Sequence, residues 1–182
     1  GSTGFWDQCM EPFTLVGALA AATKTLNFIP TVALLALHPT YTARMMATLC
    51  NISQGRMGLN VVTGWNAPEY EQMGLWPGET FYASRYEFAS EYLSILNDLW
   101  TTGRSDRKSQ FWNLNDCYCL PMPDYPIPIV SAGQSPAGVE FCDQHADQRL
   151  VIGQPKVLEQ LELRKESGSL SKYQTYILLH MI

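Results

Sequence analysis

Residues 55–78 read GRMGLNVVTGWNAPEYEQMGLWPG. The stretch runs from an apolar, β-branched strand at 57–63, with valines at 61 and 62, straight into a long polar-aromatic loop. A run this apolar suits a parallel strand buried on both faces. Asn60 interrupts it. A buried amide left without partners costs roughly 1–3 kcal/mol, so either the protein satisfies Asn60 or a ligand does. The loop opens at the carboxyl end of the strand, where α/β folds keep their sites.

Outward from this strand the pattern alternates. Residues 13–24 are alanine-rich and helical, with Lys24 near the end. Residues 26–36 read as a core strand in which Pro30 marks a bulge or a barrel rim. His38-Pro39 opens a helix over 40–52, with proline in its first turn, and Gly55 ends that segment. Residues 85–101 form an amphipathic helix. Phe88, Tyr92, Leu96, Leu99 and Trp100 share its buried face, and Gly103 closes it. Residues 104–126 are a polar, proline-rich excursion. IPIVSAG at 127–133 is a buried strand. Ser135 then caps a helix over 136–145 that has Pro136 in its first turn. A short strand at 149–153, a charged helix at 155–166, a turn, and a strand over 173–182 complete the chain. The order α-β-α-β-α-β-α-β-α-β predicts a parallel sheet with crossover helices. Alternation alone does not separate a closed barrel from an open sheet.

Composition removes several classes. The chain has 182 residues, 46% hydrophobic, 16% charged and 12% aromatic, with a formal net charge of −5. That is enough chain for a packed core. No Lys/Arg cluster forms the footprint of a nucleic-acid binder. No apolar run is long enough to span a bilayer, and the first residues carry no secretory pattern. The cysteines at 9, 50, 117, 119 and 142 are odd in number, which suits free thiols in a reducing cytoplasm. Cys117-x-Cys119 lacks a second ligand pair at zinc spacing, so no metal is expected. The three histidines are scattered and suggest no nucleophilic dyad or triad.

Several blocks carry a resemblance: FWD at 5–7, EPFTL at 11–15, ARMMAT at 43–48, VTGW at 62–65, PEYEQMG at 68–74, WPG at 76–78, SRY at 84–86, NDC at 115–117 and AGQS at 132–135. Together, and in this order, they resemble the luciferase-like flavin-dependent monooxygenases, most of all the branch that opens pyrimidine rings. The resemblance covers roughly residues 1–150 and weakens after Asp147. It implies an α/β fold, a partial TIM (β/α)8 barrel lacking the first two βα units and the last strand. It implies one domain over 1–182 with an excursion at about 66–126. Two open sheet edges follow.

The resemblance also implies a chemistry. Reduced FMN, supplied by a separate NAD(P)H-dependent flavin reductase, and O2 would open uracil or thymine between N3 and C4. Related substrates such as alkanesulfonates, or an inactive truncated remnant, remain as alternatives. A homo-oligomer is compatible with it. Asn60, Glu69, Arg85, Tyr86 and Ser135 match family positions that contact FMN. Their chemistry agrees: an amide for the flavin ring edge, a carboxylate for ribityl hydroxyls, a guanidinium fork for phosphate, a phenol, and a hydroxyl at a helix amino end that favours an anion. Trp65 is the expected substrate-facing aromatic. The residues by themselves allow other roles. Asn60 can bond a neighbouring strand, Glu69 can be solvated, Arg85 can pair with Glu69 or Glu87, and Ser135 can serve as an N-cap. Gln148 and Arg149 depart from the apolar or aromatic residues of the family. With the second-strand contacts also missing, the chain by itself is expected to hold FMN weakly or not at all.

Overall fold

The valine run forms the second strand of a parallel sheet. The protein is described by a computed structural model over residues 10–153, the backbone of 174–178, and positions 155, 159, 162 and 163. The elements are α1 (Pro12–Ala22), β1 (Thr31–Ala33), α2 (Pro39–Ser53), β2 (Leu59–Val62), α3 (Ala67–Glu71), α4 (Glu79–Thr101), β3 (Arg104–Ser105), β4 (Cys117–Tyr118), β5 (Ile129–Ser131), α5 (Pro136–His145), β6 (Gln148–Ile152) and β7 (Gln174–Leu178). Five strands form one sheet in the order β1-β2-β5-β6-β7, and all neighbours run parallel. Each strand pairs with the next one of the sheet in chain order. Since parallel crossovers are right-handed, this order sends every connection to the same side. A doubly wound sheet would reverse its order at a switch point. The sheet is therefore an arc of a (β/α)8 barrel, and all its carboxyl ends meet at one rim.

The register assigns the faces. Val32 stands beside Val61, and Leu59 beside Ile129. Val32, Leu59 and Val61 are buried in one cluster with Met46 and Cys50 of α2 and Tyr92 and Leu96 of α4. These side chains join the sheet to its helical layer. Side chains alternate across a strand, so Thr31, Asn60 and Val130, which share a register, face the interior of the arc.

Local chemistry sets the ends. Glu11 caps α1, accepting from the N–H groups of Phe13 (3.0 Å) and Thr14 (2.7 Å). His38 Nδ1 accepts from the Thr40 N–H at 3.3 Å and caps α2. Gly55 follows the left-handed Gln54 with φ +82°, and a Cβ there would lie 2.8 Å from the Tyr125 ring. Helix α5 spans the residues expected for it.

Several expectations change. The strand expected over 26–36 is only Thr31–Ala33, with a separate bridge between Phe28 and Met57. Pro30 has no N–H for the ladder. It still accepts there, from the Asn60 N–H at 3.0 Å. Helix α4 begins at Glu79 rather than at 85. The excursion at 104–126 contains the antiparallel β3–β4 ladder, only two residues a side, too short to leave a pattern. Lys24 does not serve the end of α1. The charged helix expected at 155–166 and the turn after it lie largely outside the described residues, as do the ends of the strand expected over 173–182. The four described cysteines, Cys50, Cys117, Cys119 and Cys142, are free thiols. Among the described residues no helix is long and apolar enough to cross a membrane.

Arg56 closes α1 instead. Its Nη2 donates to the Ala20 (2.9 Å) and Thr23 (3.0 Å) carbonyls, its Nη1 to that of Leu26 (2.6 Å) and its Nε to that of Ser53 (2.8 Å). The guanidinium also stands 5.6 Å from the centre of the Phe28 ring. One side chain thus satisfies the last carbonyls of α1 and ties them to the entrance of β2. Hydrogen bonds from charged donors contribute roughly 1.5–3 kcal/mol. Arg56→Met is expected to lower unfolding stability in a urea titration by about 2–3 kcal/mol. A loss below about 0.5 kcal/mol, the usual range of a surface substitution, would show that the clamp is dispensable.

Candidate functional site

At the carboxyl rim, between the ends of β2 and β5 and the start of α4, lies a cavity of about 210 Å³. Strand β2 contributes Val61 and Val62, and Thr63 and Trp65 follow it. Strand β5 contributes Ser131, and the loop after it contributes Ala132, Gly133, Gln134 and Ser135. Helix α4 presents Tyr82, Arg85 and Tyr86. The spacing 82, 85, 86 puts the three on one helical face.

Helix α5 is aimed at this cavity by a close contact. A Cβ on Gly133 would lie 2.6 Å from the Gly138 carbonyl oxygen, and a Cβ on Gly138 would lie 2.6 Å from the Tyr86 hydroxyl. Neither position has room for a methyl group. The first turn of α5 consequently lies against the exit of β5. Ser135 Oγ accepts from the Gly138 N–H at 3.1 Å and stands 3.4 Å from the Tyr86 hydroxyl. The first N–H groups of a helix have no partner within it, and the dipole adds positive potential there.

Arg85 lies on the α4 wall. Its guanidinium lies 3.7 Å from the Tyr82 ring centre and 4.6 Å from that of Tyr86, and Nη1 donates to the Tyr82 carbonyl. The ion pairs of the described residues are Arg104–Asp116 and Arg107–Asp98. Arg85 is therefore held by aromatic faces, not by Glu69 or Glu87. A guanidinium, a phenol, a serine hydroxyl and a helix amino end surround one small volume, which is the donor set for a phosphate.

Asn60 lies below this cavity, on the interior face of β2. Its side chain is 7% exposed. Nδ2 donates to Thr31 Oγ1 at 3.0 Å, and Oδ1 is buried without a partner among the described residues. Both readings of this amide hold in part: the neighbouring strand takes the donor, and the acceptor is left for something else. A buried acceptor immediately before the cavity wall fits a ring with N–H donors, and the residues present thus fit FMN. Glu69 is not brought to the cavity. It is exposed on α3, beside Tyr70, which is 1% exposed. Burial, with the charge of Glu69, pushes the Tyr70 phenol up to about 12. Trp65 lines the cavity and is 66% exposed.

Tyr82 and the Gly133–Gly138 contact escaped the sequence reading. The helix was expected to start at 85, which leaves Tyr82 in a loop. With the start at Glu79, the i, i+3, i+4 relation with Arg85 and Tyr86 is plain.

The luciferase-like monooxygenase family model matches residues 2–164. The chain belongs to the luciferase-like monooxygenases. It is 51% identical over 153 residues to pyrimidine monooxygenase RutA of Methylobacterium radiotolerans, covering 84% of this chain and 40% of that protein. It is 50% identical over 153 residues to the RutA of Acinetobacter baylyi, covering 84% and 42%. Among solved structures, EDTA monooxygenase EmoA from Chelativorans sp. BNC1 superposes with a TM-score of 0.77 at 18% identity, over 94% of this chain and 46% of that one. DmoA from Hyphomicrobium sulfonivorans superposes with a TM-score of 0.74 at 21% identity, over 93% and 42%. The structural likeness gives the barrel fold alone. The chain spans less than half the length of these curated relatives.

Because Gly133 meets backbone rather than a flexible side chain, Gly133→Ala is expected to destabilise the chain by about 1–3 kcal/mol. Gly17, within α1, is the control: its Cβ would sit 3.4 Å from Leu49 Cδ2 of α2, so Gly17→Ala is expected to stabilise by roughly 0.5–1 kcal/mol. Parallel urea melts check both. Equal effects at the two positions would remove the argument for a constrained rim.

Proposed function

We propose that this chain carries the phosphate-binding rim of an FMN-dependent monooxygenase that opens the ring of uracil or thymine with O2. The observation behind the reading is the meeting of Arg85, Tyr86, Ser135 and the amino end of α5 around one cavity. The identity of about half to the RutA proteins supports the pyrimidine substrate. Arg85 and the first turn of α5 would hold the FMN phosphate from two sides, with Tyr86 and Ser135 donating hydroxyl hydrogen bonds. Asn60 Oδ1 would accept from the flavin ring edge. Reduced FMN, when bound, supplies the electrons that activate oxygen. The protein's part is to orient the ring and to keep water from the reacting face. Trp65 is proposed as a wall toward the pyrimidine. Glu69 enters this site only through movement of α3, and its flavin role rests on the matching motif. The reading also takes residues 1–182 as one domain, acting in the cytoplasm with a separate NAD(P)H-dependent flavin reductase.

Two measurements on the full chain test this. Fluorescence titration is expected to give saturable FMN binding that weakens at least tenfold in Arg85→Met, since a charge-assisted contact to phosphate contributes about 1.5–3 kcal/mol. With a flavin reductase present, uracil is then expected to be consumed while an alkanesulfonate is not. Saturable binding without turnover would point to a remnant that keeps its cofactor site. Absence of any FMN binding would contradict the proposal outright.

A further inference from the structure

Strand β6 carries a charge where its position calls for an apolar side chain. Arg149 is only 6% exposed, and Val151, two residues on, is 1% exposed. In the sheet Arg149 stands beside Ser131 of β5, itself part of the cavity wall. Its Nη2 donates to the Gly133 carbonyl at 3.2 Å, and its Nε is buried with no partner among the described residues. Among the described residues no carboxylate pairs with it. A buried cation left without an anion is destabilising by several kcal/mol. This one lies directly behind the loop that the flavin reading assigns to an anion.

The peptide geometry says what Arg149 does there. A trans peptide points its carbonyl and the next N–H in opposite directions. Drawing the Gly133 carbonyl toward Arg149 turns the Gln134 N–H the other way, and Gln134 is a lining residue of the cavity. The guanidinium also places a positive charge next to the Gly133 carbonyl at the base of this loop. We propose that Arg149 is a positioning residue for the phosphate of the flavin: it orients the Gly133–Gln134 peptide and supplies a second cation, so that this chain discriminates the phosphorylated flavin from the unphosphorylated one. Arg149 does not itself line the cavity, so its effect passes through the loop and its field. The inference rests on the flavin reading above.

The test compares FMN with riboflavin, by fluorescence titration of the full chain at low and high salt. The unaltered chain is expected to prefer FMN. In Arg149→Gln, which can still donate to the Gly133 carbonyl but carries no charge, the preference falls about tenfold and loses most of its salt dependence, while riboflavin binding is unchanged. Arg149→Lys, which keeps the charge, retains most of the preference. Circular dichroism and thermal melts establish that each variant is folded. Equal FMN preference in the unaltered chain and in folded Arg149→Gln overturns the inference and leaves the flavin reading standing. If Arg149→Gln does not fold, Arg149→Lys decides: complete loss of preference in that folded variant overturns the inference. No FMN binding by the unaltered chain overturns the flavin reading, and the inference with it.

Discussion

Where β5 leaves the sheet, two glycines touch. The contact between Gly133 and Gly138 has no room for a methyl group on either side. It brings the amino end of α5 onto the rim of the barrel arc. Everything assigned to the site depends on that approach. It sets Ser135 3.4 Å from the Tyr86 hydroxyl, and it brings a helix amino end and the Arg85 guanidinium to the lining of one cavity. A helix held a methyl's width further out would leave these donors facing separate regions of solvent.

The two ends of the arc carry different work. At the amino end Arg56 gathers carbonyls from α1, the α1–β1 connection and α2. Those bonds are internal and saturated, so their effect is on folding. At the carboxyl end the polar groups are left incomplete. Among the described residues Asn60 keeps a buried acceptor without a partner and Arg149 a buried donor, as does Trp112, which does not line the cavity. Buried polar groups are ordinarily paired. Unpaired ones gathered near one cavity are the mark of a place prepared for a ligand.

Much of this was legible in the residues. The valine run, the alternation of elements and the Ser135-Pro136 helix start were plain, because burial on both faces and capping leave local patterns. Alternation alone does not give the barrel, since it does not fix strand order; the family resemblance implies it, and the sequential pairing β1-β2-β5-β6-β7 bears it out. Tyr82 was hidden by a misplaced helix start. Arg56 was hidden because a side chain that caps a helix 33 residues away leaves no local signal. Arg149 was visible only as a departure from the family pattern. Its placement behind Gly133 becomes readable once β5 and β6 are paired in register. Glu69 shows the converse: the motif match is strong, but α3 leaves its carboxylate outside the cavity.

The central claim is that the α5 amino end, held against β5, receives a phosphate. Amide hydrogen exchange of the full chain with excess FMN and with excess riboflavin addresses it directly. The account predicts slowed exchange at Gln134, Ser135, Ala137 and Gly138 with FMN and little change there with riboflavin. Equal protection by the two flavins, or protection confined to other segments, would contradict it.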